Sequence, residues 1–100
     1  MPREEDRIAY LDEIELEFSS GKRLARISDI SSGGCYVDSI VNVPVGEPAA
    51  FVFTRPGTSH VRFTGTVAYI LDGFGFGIQF KDLSAEARQL LETIISERRS

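Results

Sequence analysis

Two short stretches hold residues whose types and spacing suit the binding of a small phosphate-bearing, hydrogen-bonding ligand. One is Arg3-x-x-x-Arg7, and the other is Asp29-x-Ser31-x-x-Gly34 within SDISSGGCYV. Arginine presents a planar fork of donors that grips a phosphate or the O6/N7 edge of guanine bidentately, and it stacks on bases. Two arginines four residues apart on a flexible arm can close over one small molecule. Asp29 accepts hydrogen bonds and so can read guanine N–H groups, while Ser31 donates or accepts. Gly33 and Gly34 let backbone approach a ligand closely and permit a positive φ. Together these groups specify a compact molecule with phosphates and guanine edges. Each stretch also has a plainer explanation. Asp and Ser form Asx and ST turns that Gly completes, and the acids at positions 4 to 6 make a solvated arm around the arginines.

No other residues offer catalytic or metal chemistry. His60 is the sole histidine and falls in an expected hairpin tip, and Cys35 is the sole cysteine and opens an expected strand. No base and orienting acid accompany a nucleophile in a recognisable spacing, and imidazole and thiolate ligands are too few for a metal site. GFGFG at residues 73–77 has the glycine content of a phosphate loop, but such loops run from strand into helix. Here a strand is expected on either side, so the glycines mark a turn and positions where another element packs closely. The expectation is a binding protein, not an enzyme, with no cofactor.

The elements that must position these residues follow from periodicity. Residues 1–9 are polar, contain Pro2, and are expected to be a flexible ligand-binding arm. From Tyr10 onward Ile14, Leu16 and Phe18 alternate with Glu13, Glu15 and Glu17, the pattern of a strand with one wet face. SSGK signals a hairpin, followed by strands over about residues 23–30 and 34–40. NVPVGEP is a loop, AAFVFT a fourth strand, and RPGTSH a turn. In a long fifth strand Val61, Phe63, Gly65, Val67, Tyr69 and Leu71 are expected to share one face. A sixth strand is expected to alternate Phe74, Phe76, Ile78 and Phe80 with Gly75, Gly77 and Gln79. Residues from about 84 to 98 form a helix with Ser84 as N-cap, Glu86 in its first turn, and Ala87, Leu90, Leu91, Ile94 and Ile95 as its apolar stripe. The fold class is therefore all-β with a C-terminal helix. Residues 10–100 make a single six-stranded antiparallel β-barrel domain closed or capped by that helix.

Bulk composition agrees. The chain has 100 residues, 42% hydrophobic and 26% charged, which suits one folded domain. Its net charge is −4, and the first 17 residues include Glu4, Glu5, Asp6, Asp12, Glu13, Glu15 and Glu17. A general nucleic-acid binder carries a basic field, so nucleic acid is not an expected partner. No apolar run reaches the roughly 20 residues of a membrane span, and MPREEDR lacks the apolar centre of a signal peptide. A cytoplasmic location without membrane insertion is expected.

Taken together and in order, the two stretches resemble a PilZ domain. That family is marked by an R-x-x-x-R arm, a hairpin, and then D/N-x-S-x-x-G at the next strand junction; Arg3, Arg7, Asp29, Ser31 and Gly34 fill all five positions. GFGIQFKDLSAEARQLLETII also resembles the family's last strand and C-terminal helix. The resemblance implies a PilZ-like six-stranded barrel and a receptor for the bacterial second messenger cyclic di-GMP. It implies that Arg3 and Arg7 hold phosphate and guanine as the arm folds over, that Asp29 and Ser31 hydrogen-bond guanine, and that the Gly33–Gly34 backbone passes beneath it. A stand-alone receptor would relay the signal to an unidentified protein partner by ordering the arm. The alternative is a protein-interaction adaptor of the same fold that does not bind cyclic di-GMP. A small barrel for single-stranded nucleic acid is a third reading, and the acidic pI weighs against it.

Overall fold

Apolar residues at every second position become inward-facing strands in the computed structural model, which describes residues 7–53 and 60–99. The elements are β1 (Ile8–Phe18), β2 (Gly21–Ile30), β3 (Gly34–Asp38), β4 (Pro48–Phe53), β5 (Val61–Leu71), β6 (Gly75–Phe80) and α1 (Ala85–Arg99). The strands pair antiparallel into a closed barrel in the order β1-β2-β3-β6-β5-β4. Closure gives every strand two neighbours, which reduces the hazard of pairing with other chains. The first strand begins at Ile8, so Ile8 and Ala9 belong to the sheet and not to an arm. Arg3 and most of the RPGTSH turn lie outside the described residues.

The β1–β4 seam that completes the barrel is short, with Glu17 opposite Ala50 and Phe18 opposite Ala49. The helix reinforces that side of the structure. Its stripe of Ala87, Leu90, Leu91, Ile94 and Ile95 is buried and continuous with the barrel core, and it packs on β1 and β5. The helix starts where the sequence places it: Ser84 Oγ accepts from the Ala87 N–H at 3.0 Å, satisfying one of the free donors of the first turn. Near its far end the Arg98 guanidinium lies 5.3 Å from the centre of the Tyr10 ring, and that ring meets Phe53 edge-on at 5.9 Å. Among the described residues no helix is long and apolar enough to cross a membrane.

Phenylalanines fill the interior. Phe51 and Phe63 are directly opposite each other on β4 and β5, with rings stacked 5.5 Å apart, and Phe53 meets Phe63 edge-on at 4.9 Å. Cys35 is buried among these apolar residues, where desolvation first and then the Asp29 carboxylate push its thiol upward, with Arg7 opposing. It is an uncharged core group.

Register shifts at three places: between Ala9 and Asp12 in the β1–β2 pairing, between Ile27 and Asp29 in the β2–β3 pairing, and between Val67 and Tyr69 in the β5–β6 pairing. Each is a β-bulge, in which one extra residue turns the rest of its strand over. Tyr69 and Leu71 consequently leave the inner face shared by Val61, Phe63 and Val67, and are 41% and 50% exposed. The sixth strand starts one residue later than expected. Phe74 lies in the preceding turn, 73% exposed, where Gly73 takes a φ of 82°.

The core makes a direct demand on stability. Phe63→Ala is expected to cost about 3–5 kcal/mol in urea unfolding, the range for removing a buried aromatic side chain. Leu24→Ala, at a position 76% exposed, is expected to stay within about 0.5 kcal/mol of wild type.

Candidate functional site

On the straight strand β3, Cys35 and Val37 point inward, so Tyr36 and Asp38 point outward. The two bulges bring partners to them from both sides. In β2 both Ile27 and Ile30 are fully buried, and the extra residue between them lets Asp29 face outward opposite Tyr36. Tyr36 is in turn opposite Gly77 on β6, and Gly77 is opposite Tyr69 on β5. Asp29, Tyr36, Gly77 and Tyr69 thus form one row across four strands of the outer surface, and Ala9 of β1 extends it beyond Asp29. Arg7, just ahead of β1, reaches diagonally to the end of this row. Its Nη1 donates to Asp29 Oδ1 at 2.9 Å.

Arg7, Asp29, Tyr36 and Tyr69 line an open groove of about 530 Å³ together with Asp38, Leu71 and Phe74. That volume lies in the range of small-molecule sites. Its chemistry is mixed: two carboxylates, one guanidinium, two phenol rings and an apolar rim. Arg26 donates to Asp38 at 3.3 Å from outside the groove, leaving that carboxylate partly neutralised. The Arg7–Asp29 pair is about one-third exposed on each side, 33% and 29%. Burial raises the Asp29 carboxyl above its ordinary range; the neighbouring Arg7 opposes the rise and Asp38 adds to it. A second groove, of about 450 Å³, is lined by Asp12, Glu13, Glu15 and Glu17 with Lys22 and His60. Its Glu17 is already shared by Lys22 at 3.9 Å and Arg62 at 3.1 Å. Four carboxylates there disfavour an anion.

The residues picked out from the sequence separate into three groups. Arg7 and Asp29 meet in the groove. Ser31 is absent from its lining; its N–H donates to the Gly34 carbonyl at 2.8 Å, and its Oγ accepts from the Gly33 N–H at 3.3 Å. It holds the turn between β2 and β3, two residues beyond Asp29. Neither Gly33 nor Gly34 uses the positive φ that glycine permits; Gly21, Gly46 and Gly73 do. Gly34 is required by packing, because a Cβ there would overlap the Ile78 carbonyl oxygen of β6. Gly33 differs: nothing lies within 4 Å of where its Cβ would be, so its surface is open to a ligand. Tyr36, Asp38, Tyr69, Leu71 and Phe74 were not singled out. Outward placement of Tyr36 and Asp38 could have been read from the alternation around Cys35 and Val37. No sequence signal marks the bulge that turns Tyr69 outward. Among the described residues no group of three or more His, Cys, Asp or Glu side chains could hold a metal ion.

The structure is thus a six-stranded antiparallel barrel with an open groove on its outer surface, and comparison with known proteins names its family. The model of the PilZ domain family matches residues 2–97, and the chain belongs to that family. Among solved structures, the Bacillus subtilis inhibitor of motility MotI/DgrA superposes with a TM-score of 0.81 at 16% identity, over 99% of this chain and 51% of that one. The Borreliella burgdorferi PlzA protein, in complex with c-di-GMP, gives 0.70 at 22% identity, over 91% of this chain and 40% of that one. The PilZ domain of CeSA from a cellulose-synthesizing bacterium gives 0.70 at 15% identity, over 94% and 98%. The chain therefore spans about half or less of the first two proteins, and at these identities the likeness is one of fold. A comparison with curated protein sequences gives no match.

Two measurements separate structural from ligand-facing roles. Gly34→Ala is expected to destabilise the ligand-free protein by about 1–3 kcal/mol, the usual cost of forcing atoms into a packed site. Gly33→Ala is expected to remain within about 1 kcal/mol of wild type, on the stabilising side. The raised Asp29 pKa also has a sign. The folded state binds this proton more tightly than the unfolded chain, so stability is lost as pH rises through the raised value and is regained in acid. Asp29→Asn is expected to melt higher than wild type at neutral pH, with the difference closing as both are acidified.

Proposed function

We propose that the protein is a receptor for cyclic di-GMP that passes the signal to a partner protein. The observation that carries this reading is the meeting of Arg7 and Asp29 at one end of a groove with outward aromatic rings, in a chain that has both PilZ motifs. The PlzA protein of the same fold was solved in complex with c-di-GMP, which supports the ligand. Charge divides the work within the site. The described lining has one cation, Arg7, against Asp29 and Asp38, so it favours the N–H edges and faces of guanine over phosphate. Phosphate falls to Arg7 once it leaves Asp29, and to Arg3. Because an exposed ion pair contributes only about 0–1 kcal/mol, ligand contacts can displace it. Fixing Arg3 and Arg7 on the ligand draws the N-terminal arm over the groove and alters the surface offered to a partner.

A second reading is an adaptor that keeps the fold without the ligand. The excess of carboxylate in the groove favours it, since Arg7 is already occupied by Asp29.

Isothermal titration with cyclic di-GMP, using GTP and cyclic GMP as controls, distinguishes the two. Saturable binding of the cyclic dinucleotide alone is expected, and Arg7→Ala is expected to lose about 1.5–3 kcal/mol, the range for hydrogen bonds to charged groups. No heat at high ligand concentration would leave the adaptor. Unchanged affinity in Arg7→Ala would remove this arginine from the site.

A further inference from the structure

The two tyrosines of the groove are held in an arrangement that the protein core does not require. Tyr69 is 41% exposed, and it faces outward only because of the bulge that follows Val67. Its ring lies almost parallel to that of Tyr36, at an interplanar angle of 23° and a centroid separation of 6.4 Å. Both rings rest on glycines of β6. A Cβ on Gly77 would fall inside the Tyr69 ring, and one on Gly75 would come within 2.8 Å of Tyr36 Oη and 3.0 Å of its Cζ. Glycine weakens a strand interior and leaves nothing to pack. Here the pair of glycines lets two aromatic rings lie down against the sheet instead of standing away from it. The result is a tiled aromatic surface spanning β3, β6 and β5, with the Asp29 carboxylate beside it on the next strand.

We propose that Tyr36 and Tyr69 form a stacking platform for the guanine whose N–H edge the family resemblance already assigns to Asp29. This deepens the cyclic di-GMP reading and rests on it. A purine offers a flat π-face, and stacking on aromatic side chains is a strong and sequence-tolerant source of affinity for bases. The platform supplies the face contact and Asp29 the edge contact, so the two together favour guanine, whose N1–H and N2–H₂ donate along one edge. A phosphate is poorly served at the same place, because the phenol rings give it no charge and Asp29 and Asp38 repel it. The function of the GFGFG stretch follows: Gly75 and Gly77 seat the rings and contact no phosphate.

Titration of cyclic di-GMP into wild type, Tyr69→Ala, Tyr69→Phe and Gly77→Ala tests the platform. Tyr69→Ala is expected to weaken binding about tenfold or more, from the usual worth of one base–aromatic stack. Tyr69→Phe, which keeps the ring, is expected to bind like wild type. Gly77→Ala displaces only a side chain, so it is expected to fold and to weaken binding, which covers the case that Tyr69→Ala fails to fold. The chain has three tyrosines and no tryptophan. In a Tyr10→Phe background, emission therefore reports the two platform rings alone, and saturating ligand is expected to quench it. Wild-type affinity in Tyr69→Ala and Gly77→Ala, with wild type binding normally, overturns the platform and leaves the receptor. Equal losses in Tyr69→Ala and Tyr69→Phe assign the effect to the hydroxyl and also overturn it. Absence of binding by wild type overturns both readings.

Discussion

The phase of each strand is the constraint on which this structure depends. A small closed barrel must fill its interior with side chains from alternate positions. One residue added or lost sends every later side chain to the opposite face. In β2 an unbroken alternation from Ile27 would carry Asp29 inward, into a space bounded by phenylalanines and branched aliphatic residues. An ionised carboxylate there, without a partner, would cost several kcal/mol. The bulge between Ile27 and Asp29 keeps Ile27 and Ile30 in the core and turns the acid out. The bulge after Val67 acts likewise for Tyr69, on the other side of the straight β3–β6 pair. The groove exists because two irregular strands flank two regular ones.

That arrangement assigns different work to residues of one type. Gly34 and Gly65 allow neighbouring backbone to come close, since a Cβ on either would strike a carbonyl oxygen of β6. Gly77 admits an aromatic ring, and Gly75 admits both a ring and the Val37 carbonyl. Gly21, Gly46 and Gly73 take up positive φ in turns. Composition alone treats these as equivalent. Their neighbours across the sheet make them distinct.

Charge is unevenly distributed over a chain whose net charge is −4. The groove wall has carboxylate acceptors and aromatic rings, and among the described residues Arg7 reaches it from the N-terminal side. Arg7 and Asp29 satisfy each other in the absence of ligand, yet both stay about one-third exposed. Their pairing is therefore worth little energetically, about 0–1 kcal/mol. The acidic second groove keeps its charges partly paired through Lys22 and Arg62, well suited to solvent and poorly suited to an anion.

Much of this protein was legible in the sequence because it is written in local chemistry. The apolar alternation of β1, the stripe of α1 and the Ser84 cap each depend on near neighbours in the chain, and each appears in the structure. The family likewise follows from two short motifs in order, and they include Arg7 and Asp29. What the sequence left open depends on distant partners. Tyr69 would remain on the face of Val67 if β5 stood alone; pairing with β6 and closure of the barrel put a bulge between them and turned its ring over Gly77. The same closure made Gly34 a packing residue and brought Tyr36, thirty-three positions earlier in the chain, beside Tyr69. The sequence by itself determined the strands, the helix and the two motifs that hold Arg7 and Asp29, because spacing and side-chain type decide those. Only the tertiary structure decided which groups share the groove, because register between strands is set by the joint requirement to fill one core and close one barrel.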